Sequence, residues 1–235
     1  MVSIGLIGGI GPESTIDYYR LFIKLYQKHA PDGSYPPLLI NSINMTGMLK
    51  FLEENDLSGL VSYLAKEVQR LADAGATLAL MASNTPHIVF DDLQSISPIP
   101  LISIVETACH AATNEGMKRV GLFGTRFTMQ GGFYQEVFLR KGIELIVPDT
   151  AEQNYIHTAY MTELVHGVFR DEVRDRFIAF ARNMRDQHGI EGLVLGGTEL
   201  PLLMRDVQCL DMPMIDTARL HVERAVSELM HRKVF

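Results

Sequence analysis

Two stretches of this 235-residue chain occur twice. VSIGLIGG at 2–9 returns as KRVGLFGT at 118–125, where an offset of 116 pairs Gly5 with Gly121, Leu6 with Leu122 and Gly8 with Gly124. The same offset pairs Tyr18 with Tyr134 and Phe22 with Phe138. AGATLALMASNT at 74–85 returns as HGIEGLVLGGTE at 188–199, and an offset of 114 pairs Gly75 with Gly189 and Ser83 with Gly197. Strand–turn–helix units that recur in one order at nearly one spacing mark a duplication. Few folds accommodate that: the chain has to build one design twice.

The local pattern names the design. Apolar runs predict strands at 2–8, 37–43, 77–82, 100–103, 118–123, 143–146, 192–196 and 213–215. Amphipathic stretches between them predict helices near 13–29, 56–74, 86–93, 105–115, 129–140, 151–167, 170–187 and 217–231. Short apolar runs alternating with helices specify parallel sheets covered on both faces. The expectation is an α/β fold of two pseudo-symmetric lobes, each a mainly parallel sheet flanked by helices, with the active site in the cleft between them. The lobes are expected at 1–98 plus 216–235 and at 99–215. Open α/β sheets do their chemistry at the carboxyl ends of their strands, so the turns there matter most.

Composition narrows the partners. The chain carries 21 basic against 28 acidic residues, a net charge of −7, and no basic cluster, which argues against nucleic-acid binding. No 18-residue apolar window predicts a membrane span, and MVSIGLIGGIG runs into a fold motif instead of reading as a signal peptide. Two cysteines, Cys109 and Cys209, fit a reducing cytoplasm without a disulfide framework. The eight histidines show no HxxxH or HxxH pair, so no metal site is expected.

Four turns offer chemistry, and each also has a purely structural reading. GGIGPEST (8–15) is a glycine turn before a helix whose backbone N–H groups suit a carboxylate; Gly9 and Gly11 shape it, or it serves packing alone. MASNTPH (81–87) sets Ser83, Asn84 and Thr85 beyond a buried strand, with His87 in reach as a base; otherwise Asn84 caps a helix and His87 is structural. GTRFTMQ (124–130) places Thr125 and Thr128 at a helix start, as carboxylate donors or with Thr128 as a cap. MPMIDTARLH (212–221) ends a strand at Asp216, a cap or Asx turn on the plain reading. GLVLGGTELPLL (192–203) turns at Gly197 with Thr198 and Glu199 following, and carries no nucleophile.

These motifs together resemble the aspartate/glutamate racemase family, over essentially the whole chain. The marks are GLIGGIGPESTIDYYR (5–20), SNTPH (83–87), GLFGTRFTMQGGFY (121–134), GGTELPLL (196–203) and MIDTARLH (214–221). The resemblance implies two similar α/β lobes paired as a homodimer, a small amino acid or dicarboxylate as substrate, and neither pyridoxal phosphate nor metal. It implies a two-base reaction in which a thiolate removes the α-proton and a thiol on the opposite wall returns one. Cysteine suits the task because its reference pKa near 8.5 is readily lowered. The substrate carboxylate, held by backbone and hydroxyl donors, takes up charge as the carbanion forms.

Carried onto this sequence, the two thiols fall on Ser83 and Gly197. Asn84, Thr85, Thr125, Thr128 and Thr198 fall on carboxylate donors, and Glu199 falls beside the second thiol, where it can tune or relay its proton. A serine hydroxyl is a poor base at neutral pH, glycine has no side chain, and loss of one acid–base group costs about 10²–10⁴-fold. The expected protein keeps its ligand and is impaired in inversion. The alternatives are a repurposed lyase or decarboxylase that needs one proton donor, with water above Gly197, and a non-catalytic binder of small carboxylates. The loop INMTGM (43–48) lacks Arg and Lys, with Lys50 the nearest, so a distal carboxylate has no obvious reader and Met45 and Met48 favour an apolar side chain.

Overall fold

The structure, a computed structural model, describes residues 2–30, 32–204 and 211–232; Cys209 lies outside them. The chain divides into two compact units, Met1–Ser103 with His221–Phe235, and Ile104–Leu220.

Unit 1 runs β1 (Ile4–Gly8), α1 (Pro12–Gln27), β2 (Leu38–Ser42), α2 (Met45–Glu53), α3 (Leu57–Asp73), β3 (Leu78–Met81), a 3-10 turn (Thr85–Val89) and α4 (Phe90–Ile96). Its sheet has the order β2-β1-β3 and is parallel throughout. The strand expected at 100–103 is a single parallel bridge between Ala79 and Leu101. Pro98 and Pro100 supply no N–H to a ladder there. The stretch 43–48, read from sequence as a loop, opens α2. Asn44 Oδ1 accepts from the Thr46 and Gly47 amides at 3.0 and 3.4 Å, and Met48 and Leu52 turn inward one helical turn apart.

Unit 2 runs α5 (Ile104–Asn114), β4 (Arg119–Gly124), α6 (Arg126–Gln130), α7 (Phe133–Leu139), β5 (Glu144–Ile146), α8 (Thr150–Thr162), a 3-10 turn (Leu164–His166), α9 (Asp171–His188), β6 (Gly192–Gly196), α10 (Leu200–Met204) and β7 (Met214–Asp216), and α11 (Thr217–Arg232) begins in it. The sheet order is β5-β4-β6-β7, again parallel. The single helix expected at 129–140 is two, because Gly131 and Gly132 interrupt it and Gly132 adopts φ 79°. Among the described residues no helix is long and apolar enough to cross a membrane.

The duplication reaches the hydrogen-bond register. In unit 1 Ile4 pairs with Leu78, Gly5 with Ala79, Leu6 with Leu80 and Ile7 with Met81. In unit 2 the residues that the sequence offsets match to these pair the same way: Val120 with Gly192, Gly121 with Leu193, Leu122 with Val194 and Phe123 with Leu195. The recurring residues are packing residues. Tyr18, Phe22, Tyr134 and Phe138 are fully buried, each worth roughly 1.5–3 kcal/mol of transfer free energy. Gly5 and Gly121 let a helix approach the sheet. A Cβ on Gly5 would stand 3.0 Å from Leu71 of α3, and one on Gly121 3.2 Å from Met184 of α9.

Candidate active site

In unit 1, β1 and β3 are hydrogen-bonded neighbours, so their carboxyl ends bring the Gly9–Gly11 and Ser83–Thr85 turns side by side. Ser14 Oγ donates to the Ala82 carbonyl at 3.1 Å and ties one turn to the other. Gly11 heads α1 with φ 93° and Pro12 follows it. The Gly9 amide, which the sequence offers to a ligand, donates to Thr15 Oγ1 at 2.8 Å, while the Thr15 hydroxyl donates to the Gly11 carbonyl at 3.2 Å. Thr15 therefore closes this turn from within the first turn of α1.

Ser83, Asn84 and Thr85 are buried. Asn84 precedes the 3-10 turn with helical backbone and no side-chain cap bond, so capping does not explain it. His87 is not the base that its spacing from Ser83 suggested. Its Nδ1–H donates to the Ser83 carbonyl at 3.0 Å, and the ring stacks on Phe90 at 5.2 Å. Burial, and then the neighbouring His221, lower its pKa to about 3, far too weak to deprotonate a hydroxyl. His221 Nε2–H donates to the Ile102 carbonyl at 2.8 Å, and its Nδ1 accepts from the Tyr18 hydroxyl at 2.9 Å. Burial lowers its pKa to about 4. The two rings meet edge to face at 6.0 Å as a neutral pair.

In unit 2, β4 and β6 are neighbours and carry the other two turns. A Cβ on Gly124 would stand 2.7 Å from the Gly196 carbonyl, so these strand ends need glycine to lie together. Thr125 caps α6: its Oγ1 accepts from the Thr128 amide at 3.2 Å, and the two buried hydroxyls lie 3.1 Å apart. The cap is Thr125, not Thr128. Asp216 accepts from the Arg219 amide at 2.9 Å, the cap arrangement read from sequence. Cys109 is buried in the apolar core of this unit, and burial raises its pKa.

After β6 come Gly197, Thr198 and Glu199, the last two only 1% exposed. Glu199 Oε2 accepts from the Thr198 hydroxyl at 3.2 Å and from the Tyr160 hydroxyl of α8. Tyr160 is 5% exposed. Burial first, and then the Glu199 charge, hold its pKa well above 10, so the phenol stays protonated. Its ring covers Gly197: a Cβ there would come within 3.0 Å of both Tyr160 Cζ and the hydroxyl oxygen. The space above Gly197, expected to admit water, holds this ring. Tyr160 was not among the expected site residues. The signal for it was the inward face of α8, where Ile156, Ala159 and Tyr160 recur at helical spacing.

Among the described residues no group of three His, Cys, Asp or Glu is placed to hold a metal. The structure thus groups the ten expected positions in two sets of five, each set at the carboxyl ends of adjacent parallel strands. Gly9, Gly11, Ser83, Asn84 and Thr85 belong to unit 1, and Thr125, Thr128, Gly197, Thr198 and Glu199 to unit 2.

Residues 7–225 match the family Asp/Glu/Hydantoin racemase. An aspartate racemase homologue from Pyrococcus horikoshii OT3 superposes with a TM-score of 0.81 at 33% identity, over 98% of this chain and 100% of that one. The broad specificity amino-acid racemase RacX of Bacillus subtilis (strain 168) is 27% identical over 64% of this chain and 66% of its own length. The glutamate racemase of Aquifex aeolicus (strain VF5) is 26% identical over 63% of this chain and 56% of its own length.

Proposed function

The chain belongs to the Asp/Glu/Hydantoin racemase family, and from that premise we propose that it binds a small amino acid or dicarboxylate at these strand ends, with inversion of the α-carbon strongly impaired. Ser83 and Gly197 then stand where the family's two thiols would face the α-carbon. Gly11, Asn84, Thr85, Thr125 and Thr128 supply donors to the substrate carboxylate, and Thr198 contributes through Glu199, to which it is bonded. The observation that carries the impairment is the glycine at 197, with the Tyr160 ring in the place of its absent side chain. In unit 1, Ser83 has no competent base in His87. Loss of one acid–base group costs about 10²–10⁴-fold, and here two are changed.

Met48 is buried in α2, which leaves Met45 as the residue of that segment that can favour an apolar side chain. The same reading makes the protein a cytoplasmic homodimer that works without pyridoxal phosphate or metal.

The test pairs binding with exchange. The protein is titrated with D- and L-aspartate, D- and L-glutamate and neutral amino acids by calorimetry. Loss of the α-proton in D₂O is then followed by NMR beside a relative that carries both cysteines. Saturable binding is expected, with exchange at least about 10²-fold slower than in that relative. Equal exchange rates, or no binding across the panel, would overturn the proposal.

A further inference from the structure

We propose that Tyr160 is a positioning residue of the second half-site: its ring fills the side-chain place at Gly197 and its hydroxyl fixes Glu199, so that a side chain at 197 acts on Glu199 through Tyr160. Three observations within unit 2 support it. A Cβ built on Gly197 meets three atoms of one residue, Cε2, Cζ and the hydroxyl of Tyr160, with the last two at 3.0 Å. Real Cβ atoms are not found closer than this, so any side chain at 197 displaces the ring. The ring has little freedom to yield, because Tyr160 is buried in α8 and its hydroxyl is bonded to Glu199. Glu199 is buried as well, and the donors identified for its Oε2 are the Tyr160 and Thr198 hydroxyls. Moving the ring takes a donor from a buried carboxylate, which is costly because hydrogen bonds to charged groups are the strong ones.

The functional meaning of this pair rests on the racemase-type site proposed above. In that site the place of the second thiol is filled, and the group filling it is a phenol that burial and the Glu199 charge keep protonated at neutral pH. Such a group holds a carboxylate in position but does not take a proton from carbon. Glu199 then shapes the ligand's surroundings through its bond to Tyr160, and the size of residue 197 sets how well that bond is made.

The experiment is a double-mutant cycle of Gly197→Ala and Tyr160→Phe, with Tyr160→Ala as a second background that makes room. Urea unfolding of the ligand-free protein is the first readout. Gly197→Ala is expected to raise the unfolding constant about tenfold to a hundredfold in the parent, where it breaks the bond to Glu199. It should cost clearly less beside Tyr160→Phe, where that bond is already gone, and least beside Tyr160→Ala. The second readout is the dissociation constant for the tightest-binding amino acid of the panel, which a purely structural packing role would leave unmoved. Gly197→Ala and Tyr160→Phe should each weaken binding, the double variant no more than the worse single, and Glu199→Gln should reproduce the loss. Additive effects on both readouts, or full-strength binding in Tyr160→Phe, would overturn the assignment. Absence of binding by the parent would sink the racemase-type reading instead, and the stability cycle would still decide the pairing of Tyr160 with Gly197.

Discussion

Lowering the pH from 7 to 5 should cost unit 1 about 4 kcal/mol through its two buried histidines, His87 and His221. Both rings are neutral in the fold, with pKa values lowered from 6.5 to about 3 and about 4. In the unfolded chain they titrate near 6.5. Between the folded and unfolded values the unfolded state holds more protons, so stability rises with pH in that window and is lost as acid is added. At pH 5 each unfolded ring sits about 1.5 units below its pKa while each folded ring is still mostly neutral. At roughly 1.36 kcal/mol per unit, each contributes about 2 kcal/mol of loss. Protonation of His221 in place costs its Nδ1 the bond it accepts from Tyr18. The Nδ1–H bond of His87 to the Ser83 carbonyl favours the charged ring, but burial and then the neighbouring His221 outweigh it. The assay is the urea midpoint across this range for the parent and for His221→Gln, whose amide can still donate toward the Ile102 carbonyl. The variant should show about half the pH dependence attributable to the pair. Ring Cε1 proton shifts for His87 and His221 should stay flat down to pH 5. A midpoint above about 5.5 for either ring, or an unchanged pH dependence in the variant, would refute the reasoning.

Two further outcomes follow from the turns. Thr15→Val should destabilise unit 1 by about 1–2 kcal/mol in chemical denaturation, because it leaves the Gly9 amide without its acceptor, while Thr15→Ser should restore most of the loss. Thr125→Ala should cost about 1 kcal/mol as a lost cap and also weaken ligand binding, whereas Thr125→Ser should keep the cap; unchanged binding by the alanine variant would remove Thr125 from the carboxylate donors.

Much of the architecture was legible because it rests on strong local signals. Apolar runs bounded by glycine turns mark β1, β3, β4 and β6, and the two offsets carry even their ladder register. The misreadings were local as well. Asn44 caps a helix despite Gly47 inside it, and the Gly131–Gly132 pair divides a pattern whose apolar face runs on. The candidate positions follow apolar runs that end in glycine or small-residue turns, so their location after β1, β3, β4 and β6 was legible. Their wiring was not. The spacing of Ser83 and His87 suggests a hydroxyl–imidazole pair, but one helical turn brings the ring to the carbonyl instead. Gly197 has no side chain to hint at a partner, and Tyr160 reaches it from a helix on the far side of α9 in the chain.

The division of the chain also sets an order of assembly. Unit 1 is completed by His221, Val222, Ala225, Val226 and Leu229, all buried, yet these follow the whole of unit 2 in the sequence. At roughly 5–20 residues per second, translation of the intervening unit takes on the order of ten seconds. During that interval the nascent first half has its sheet strands but lacks the helix that covers Tyr18 and His87, while the second half can close as soon as it emerges. The lobe that begins first therefore waits longest with its apolar face uncovered.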